Sequence, residues 1–117
     1  MDPKDSANTH KEKEQLALAL INQGKLKEAE VIYTILVNSG STNDIVHGNL
    51  GALLQRKGDV TNATLLLKKS LDLNPNNADV HNNLGIAFED QGDLSSAINS
   101  FNQAIELKLN FPEAHYN

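Results

Sequence analysis

Apolar positions along this 117-residue chain follow the spacing of amphipathic helices, and the whole pattern recurs every 34 residues. Each unit is counted from His10, Asp44 or Ala78. Its seventh residue is a leucine, its eighth and twentieth residues are small, and its eleventh and twenty-fourth are large. Because a leucine and the residue four places later share one helix face, each unit predicts two packed helices. These columns hold Leu16, Leu50 and Leu84; Ala17, Gly51 and Gly85; Leu20, Leu54 and Phe88; Ala29, Ala63 and Ala97; and Tyr33, Leu67 and Phe101.

A glycine separates the two predicted helices of every unit, at Gly24, Gly58 and Gly92. Glycine at this place suits a left-handed helix cap, a conformation that costs little only for glycine. Asp59 and Asp93 follow at the position of an N-cap, where a carboxylate accepts from free amides of the second helix. The pattern predicts an all-α chain with six helices, over about 10–23, 27–38, 44–57, 60–73, 78–91 and 94–108.

A fixed period of this length predicts a linear array of helix-turn-helix repeats. Small residues in the eighth and twentieth columns let the two helices of a hairpin approach closely, so we expect Ala63 and Ala97 to be buried. The predicted organisation is a polar tail that frays or joins the first helix, three full repeats, and the start of a fourth. The boundaries are 1–9, 10–43, 44–77, 78–111 and 112–117.

The motifs in these columns resemble the tetratricopeptide repeat over residues 10–117. The resemblance is carried by Asn83-Leu84-Gly85, Phe88, Gln91-Gly92-Asp93, Ala97-Ile98, Phe101 and Ala104-Ile105. It implies an α-α superhelix, right-handed, in which the first helices of the repeats line a concave face that binds other proteins. One departure is the fourth column, which usually holds a large aromatic residue in this family. Here it holds Lys13, His47, His81 and His115.

An amide side chain fills the sixth column, at Gln15, Asn49, Asn83 and Asn117. An amide carries donors and an acceptor, so a row of amides can bind the main chain of an extended peptide. The row resembles the asparagine ladder in the repeats of O-linked N-acetylglucosamine transferases. Asparagine is also a common residue at this position of the repeat, where it hydrogen-bonds to the neighbouring helix. Both interpretations remain open from the sequence.

Charged residues complete the predicted peptide-binding face. Asp79, Glu89 and Asp90 lie at concave positions of the third repeat and favour basic residues in the partner. Arg56 lies at the same repeat position as Asp90. The alternative for the acidic residues is a solvated surface without a ligand.

Composition and charge disfavour several classes of partner. The formal net charge is −5 and no basic stripe occurs, which disfavours nucleic acid as a partner. The chain has no cysteine, no apolar run long enough to span a bilayer, and no secretory segment at its start. We therefore expect a cytoplasmic protein without membrane association. The histidine column cannot hold one metal ion, because equivalent residues of packed helices are about 10 Å apart.

The leading interpretation is a protein- or peptide-binding scaffold that is not an enzyme and needs no cofactor or metal. The alternatives are a docking segment of a larger enzyme such as a glycosyltransferase and, less favoured, an RNA-binding helical repeat. Only six residues of the fourth repeat are present, so we expect part of the third repeat to be uncovered and available for self-association. The residues concerned include Ile98, Phe101, Ile105 and Leu109.

Overall fold

A computed structural model describes residues 3–110, with side chains from residue 9 onward. The described range contains helices and no strand, which confirms the all-α prediction. The six helices are α1 (Pro3–Asn22), α2 (Leu26–Asn38), α3 (Asp44–Lys57), α4 (Val60–Leu73), α5 (Ala78–Asp90) and α6 (Leu94–Asn110). The helix α1 begins before the predicted bound, so residues 3–9 join the first helix. The predicted start of a fourth repeat at 112–117, with Asn117 and His115, lies outside the described residues.

The helices pack as three hairpins stacked in chain order. Each first helix contacts its own second helix, in the pairs α1–α2, α3–α4 and α5–α6. Each hairpin then contacts the next through α2 and α3, and through α4 and α5. The first helices α3 and α5 also touch each other, and this contact defines the inner side of the stack. The architecture is the predicted array of helical hairpins.

The turn between the two helices of a repeat depends on glycine. Gly58 adopts φ 97°, in the left-handed region, and its N–H donates to the Gln55 carbonyl at 3.1 Å. The next N–H, of Asp59, reaches back to the Leu54 carbonyl at 2.9 Å. The Asp59 carboxylate then accepts from the Asn62 N–H, which confirms the predicted N-cap of α4. These bonds satisfy two of the last carbonyls of α3 and one of the first amides of α4.

Small residues are required where the two helices of a hairpin cross. Ala63 is fully buried and Ala97 nearly so, as predicted. A Cβ added at Gly51 would lie 2.9 Å from Leu67 Cγ and 3.2 Å from the Ala63 carbonyl oxygen. Both distances are shorter than van der Waals contact, so any side chain at Gly51 would push α3 and α4 apart. The pairing of small residues in columns eight and twenty is confirmed.

The leucine column is buried only where a preceding repeat covers it. Leu50 and Leu84 are 4% and 6% exposed, because α2 and α4 pack against their helices. Leu16 occupies the same column but is 48% exposed, since no described helix precedes α1. Leu16 shows that the leucine spacing alone does not bury this column.

The other end of the stack is uncovered in the corresponding way. Thr64 of α4 is 7% exposed because α5 covers it, whereas Ile98, at the same position of α6, is 59% exposed. Leu94, Ile105 and Leu109 on α6 are also exposed. Of the four residues expected at this surface, Ile98, Ile105 and Leu109 therefore contribute to an apolar end face. The fourth, Phe101, is half-buried.

Candidate peptide-binding face

A groove of about 370 Å³ lies between α3 and α5, on the inner side of the stack. It brings together three of the predicted site residues, Arg56, Asn83 and Asp90. They come from columns six and thirteen, which the helical period places on one face. The full lining is Ala52, Gln55, Arg56, Asn83, Ile86 and Asp90.

Asn83 presents an unused amide to this groove. The side chain is half-buried and makes no hydrogen bond within the described residues. No buried polar atom of a described side chain lacks a partner, so the amide is accessible to solvent. Both donors and the acceptor of Asn83 are available to a ligand.

Asn49, at the same position one repeat earlier, is held by its neighbour. Its Nδ2 donates to Tyr33 Oη at 3.1 Å, and Tyr33 is almost fully buried. This is the contact to the neighbouring helix that the sequence left open as an alternative. The corresponding residues beside Asn83 and at the end of the stack, Leu67 and Phe101, have no hydroxyl, so the contact is confined to the first pair of repeats.

The hydroxyl of Tyr33 has an altered acidity. Burial raises the pKa of Tyr33 above 10.0, the hydrogen bond from Asn49 lowers it, and the charge of Glu14 raises it. Burial is the largest of the three effects, because a phenolate would lose its hydration. The phenol therefore stays neutral and accepts the Asn49 amide at physiological pH.

The remaining amides of the predicted ladder are not in the groove. Gln15 lies exposed on α1, and Asn117 lies outside the described residues. In the described part of the chain, the ladder therefore consists of Gln15, which is exposed on α1, Asn49, which is bonded to Tyr33, and Asn83. Only the last lines the groove between α3 and α5.

Three acidic side chains lie on α5, and of these Asp90 lines the groove whereas Asp79 and Glu89 do not. Asp79, Glu89 and Asp90 are exposed, and none of them forms an ion pair within residues 9–110. Arg56 faces the same groove and is also exposed and unpaired, although Asp90 lines the opposite wall. The groove thus offers charges of both signs that no other described residue neutralises.

Two histidines of the fourth column bind the backbone. His47 is buried, and its Nδ1–H donates to the Asn43 carbonyl at 3.0 Å. His81 uses Nε2–H to donate to the Pro75 carbonyl at 2.9 Å. These bonds tie the first turns of α3 and α5 to the preceding turns. No group of three potential metal ligands lies together in the part of the chain that the structure describes.

Sequence reasoning missed the apolar floor of the groove. Ile86 and Ala52 occupy the ninth column, and Gln55 lies beside them. The helical period places all three on the concave side, but their side-chain types suggest no specific chemistry. Ile86 is 36% exposed and is the largest apolar surface inside the groove.

The sequence profile of the tetratricopeptide repeat matches residues 44–110, more than half of the chain. The chain belongs to the tetratricopeptide repeat family. The match begins at Asp44, the first residue of the second predicted repeat. Comparison with curated proteins gives no significant match.

Solved tetratricopeptide-type structures share the fold. The MamA structure designated MSR-1 has a TM-score of 0.76 at 25% identity, covering 92% of this chain and 62% of MamA. A second MamA structure has a TM-score of 0.81 at 22% identity, covering 95% of this chain and 65% of MamA. The chain therefore spans less than two thirds of these MamA chains. The Yersinia enterocolitica type III secretion translocator chaperone SycD has a TM-score of 0.82 at 20% identity, covering 92% of this chain and 74% of SycD.

The match to these structures confirms the predicted stack of helical hairpins as a tetratricopeptide superhelix. No helix in the described residues is long and apolar enough to cross a membrane.

Proposed function

We propose that this tetratricopeptide chain is a protein-binding scaffold that holds an extended segment of its partner in the groove between α3 and α5. The free, solvent-accessible amide of Asn83 is the observation that carries the proposal. The family and the fold support binding of proteins in general. What we propose beyond this is which residues of the groove bind the partner and which kind of partner they favour.

The amide of Asn83 binds the partner's main chain. An amide can accept from a peptide N–H and donate to a peptide C=O, so binding does not depend on the partner's side chains. Asn49 contributes its Oδ1 and at most one N–H, because the other N–H of its Nδ2 is donated to Tyr33. Neighbouring first helices are about 10 Å apart, and an extended peptide advances about 3.3 Å per residue, so each asparagine serves about three partner residues.

The side chains around Asn83 select the partner. Ile86 offers an apolar surface to one partner side chain. The exposed carboxylates on α5, Asp79, Glu89 and Asp90, favour lysine or arginine in the partner. Arg56 on the opposite wall donates to a carbonyl or carboxylate of the partner, which fixes the direction of the bound segment.

The experiment compares partner capture by the wild-type chain and by Asn83→Ala, with the captured proteins quantified by isotope labelling. Loss of one good hydrogen-bonding amide should weaken a genuine partner about tenfold. The control Asn102→Ala removes an exposed amide from α6, away from the groove, and should have no effect. Asn49→Ala is unsuitable as the first variant, because it also breaks the bond to Tyr33.

Two results would contradict the proposal. If every protein captured by the wild type is captured equally by Asn83→Ala, the groove is not the binding site. If affinity for the identified partner does not fall as salt increases, the carboxylates on α5 do not select basic residues.

We also propose that the apolar end face of α6, formed by Leu94, Ile98, Ile105 and Leu109, is covered by a second copy of the chain. The proposal is supported by Thr64 of α4, which occupies the repeat position of Ile98 and is only 7% exposed under the next repeat. An exposed apolar surface of this kind is typical of association sites. One of the SycD structures is itself described as an alternative dimer.

A further inference from the structure

A second groove, of about 680 Å³, lies at the edge of the stack between the start of α2 and the end of α3. We call it the edge groove. Its apolar residues are Leu26, Val31 and Leu53, and Val31 is 57% exposed. The full lining is Leu26, Lys27, Glu30, Val31, Leu53, Arg56 and Lys57.

Three basic side chains surround this apolar surface. Lys57 pairs with Glu30 at 3.2 Å, which joins α3 to α2 and neutralises one of the positive charges. Lys27 and Arg56 are exposed and form no ion pair within residues 9–110. In a chain of net charge −5, the edge groove therefore concentrates unpaired positive charge.

The same place one repeat later has the opposite charge. The repeat period puts Thr61, Asp90 and Gln91 where the edge groove has Lys27, Arg56 and Lys57. Gln91 and Thr64 occupy the repeat positions of Lys57 and Glu30. Gln91 Nε2 donates to Thr64 Oγ1 at 3.1 Å, where the first pair of repeats has the Lys57–Glu30 ion pair. The basic rim is thus a property of the first pair of repeats and is not imposed by the helical packing.

We propose that the edge groove binds an acidic segment of a protein that carries one aliphatic side chain. The aliphatic side chain packs on Val31 and Leu53 and leaves water. Its acidic neighbours meet Lys27 and the guanidinium of Arg56, whose paired donors match a carboxylate. The charge of the rim excludes the basic segments that the carboxylates on α5 favour.

This site is separable from the one proposed above, although Arg56 lines both grooves. Lys27 belongs to the edge groove alone, and Asn83 belongs to the inner groove alone. Variants of these two residues therefore test the two proposals independently. Failure of one leaves the other intact.

The test uses a fluorescein-labelled probe peptide with three glutamates on either side of one leucine, measured by fluorescence anisotropy against the full chain. We expect Lys27→Glu to weaken probe binding at least about fivefold at low salt. Lys69→Glu makes the same charge change at an exposed lysine that lines neither groove, and should change affinity less than about twofold. Asn83→Ala should leave probe binding unchanged.

Two peptide controls separate charge from the apolar contact. Replacing the leucine of the probe with alanine, or its glutamates with glutamines, should each weaken binding. The proposal is overturned if the wild-type chain does not bind the probe, or if Lys27→Glu and Lys69→Glu weaken binding equally. It is also overturned if the Lys27→Glu variant no longer self-associates but binds the probe with the affinity of the wild type.

Discussion

Replacing Ala63 with leucine tests the packing on which the whole stack depends. Ala63 is 0% exposed and lies where α3 crosses α4. Its carbonyl oxygen is only 3.2 Å from the place where Gly51 would carry a Cβ, and Leu67 Cγ is 2.9 Å from the same place. A leucine side chain has no free volume to enter at this crossing.

The expected cost follows from this lack of space. Overpacking a well-packed core costs about 1–3 kcal/mol, and the change in helix propensity between alanine and leucine is small by comparison. At an unfolding entropy of roughly 2.1 cal/mol/K per residue, the 117-residue chain should lose about 4–12 °C in Tm. The loss should be large because Ala63 belongs to the central repeat, which packs against both neighbours.

Thermal melting followed by circular dichroism measures the effect. The matched control is Thr61→Leu, which adds an aliphatic side chain at an exposed position of the same helix and should shift stability by less than about 0.5 kcal/mol. An unchanged Tm for Ala63→Leu would refute the reasoning. The close approach of α3 and α4 would then not be the reason for small residues at these positions.

Two further predictions concern Tyr33 and the end face of α6. Because the pKa of Tyr33 is raised in the folded chain, its contribution to stability should be lost as pH rises above 10.0. An ultraviolet titration should show one late-ionising phenol, absent in Tyr33→Phe and shifted to still higher pH in Asn49→Ala. In analytical ultracentrifugation, the wild-type chain should associate with increasing concentration, and Ile98→Lys should prevent this. Leu65→Lys, at an equally exposed leucine of α4, should have no effect, and a wild type that stays monomeric would contradict the end-face proposal.

Local chemistry made most of the fold predictable from the sequence. Gly58 and Asp59 fix a helix end and a helix start through their own backbone and side-chain preferences, so the bounds of α3 and α4 match the prediction. The start of α1 was harder, because residues 3–9 are polar and carry no periodic signal. Leu16 is exposed because none of the described helices covers it, which a column of leucines does not reveal.

The candidate site was only partly predictable, because it depends on contacts between repeats. Asn49 and Asn83 look equivalent in the sequence, yet only Asn49 faces a hydroxyl, that of Tyr33. The sequence does contain a sign of this difference, because Tyr33 is the polar residue of a column that otherwise holds Leu67 and Phe101. Arg56 was predicted on the inner face, but only the structure shows that Arg56 also lines the edge groove.

The two ends of the stack differ in a way that decides how copies can associate. The third column holds Val46 and Val80, which are buried against the preceding repeat, but Glu12 in the first repeat. Placing α1 of one copy on α6 of another would bury Glu12 against the apolar end face, at the cost of an unpaired charge. Pairing two α6 faces brings together the exposed Leu94, Ile98, Ile105 and Leu109 of both copies and closes the assembly by twofold symmetry. We therefore expect a dimer of the 12.8 kDa chain at saturation, and a series of larger species would refute this geometry.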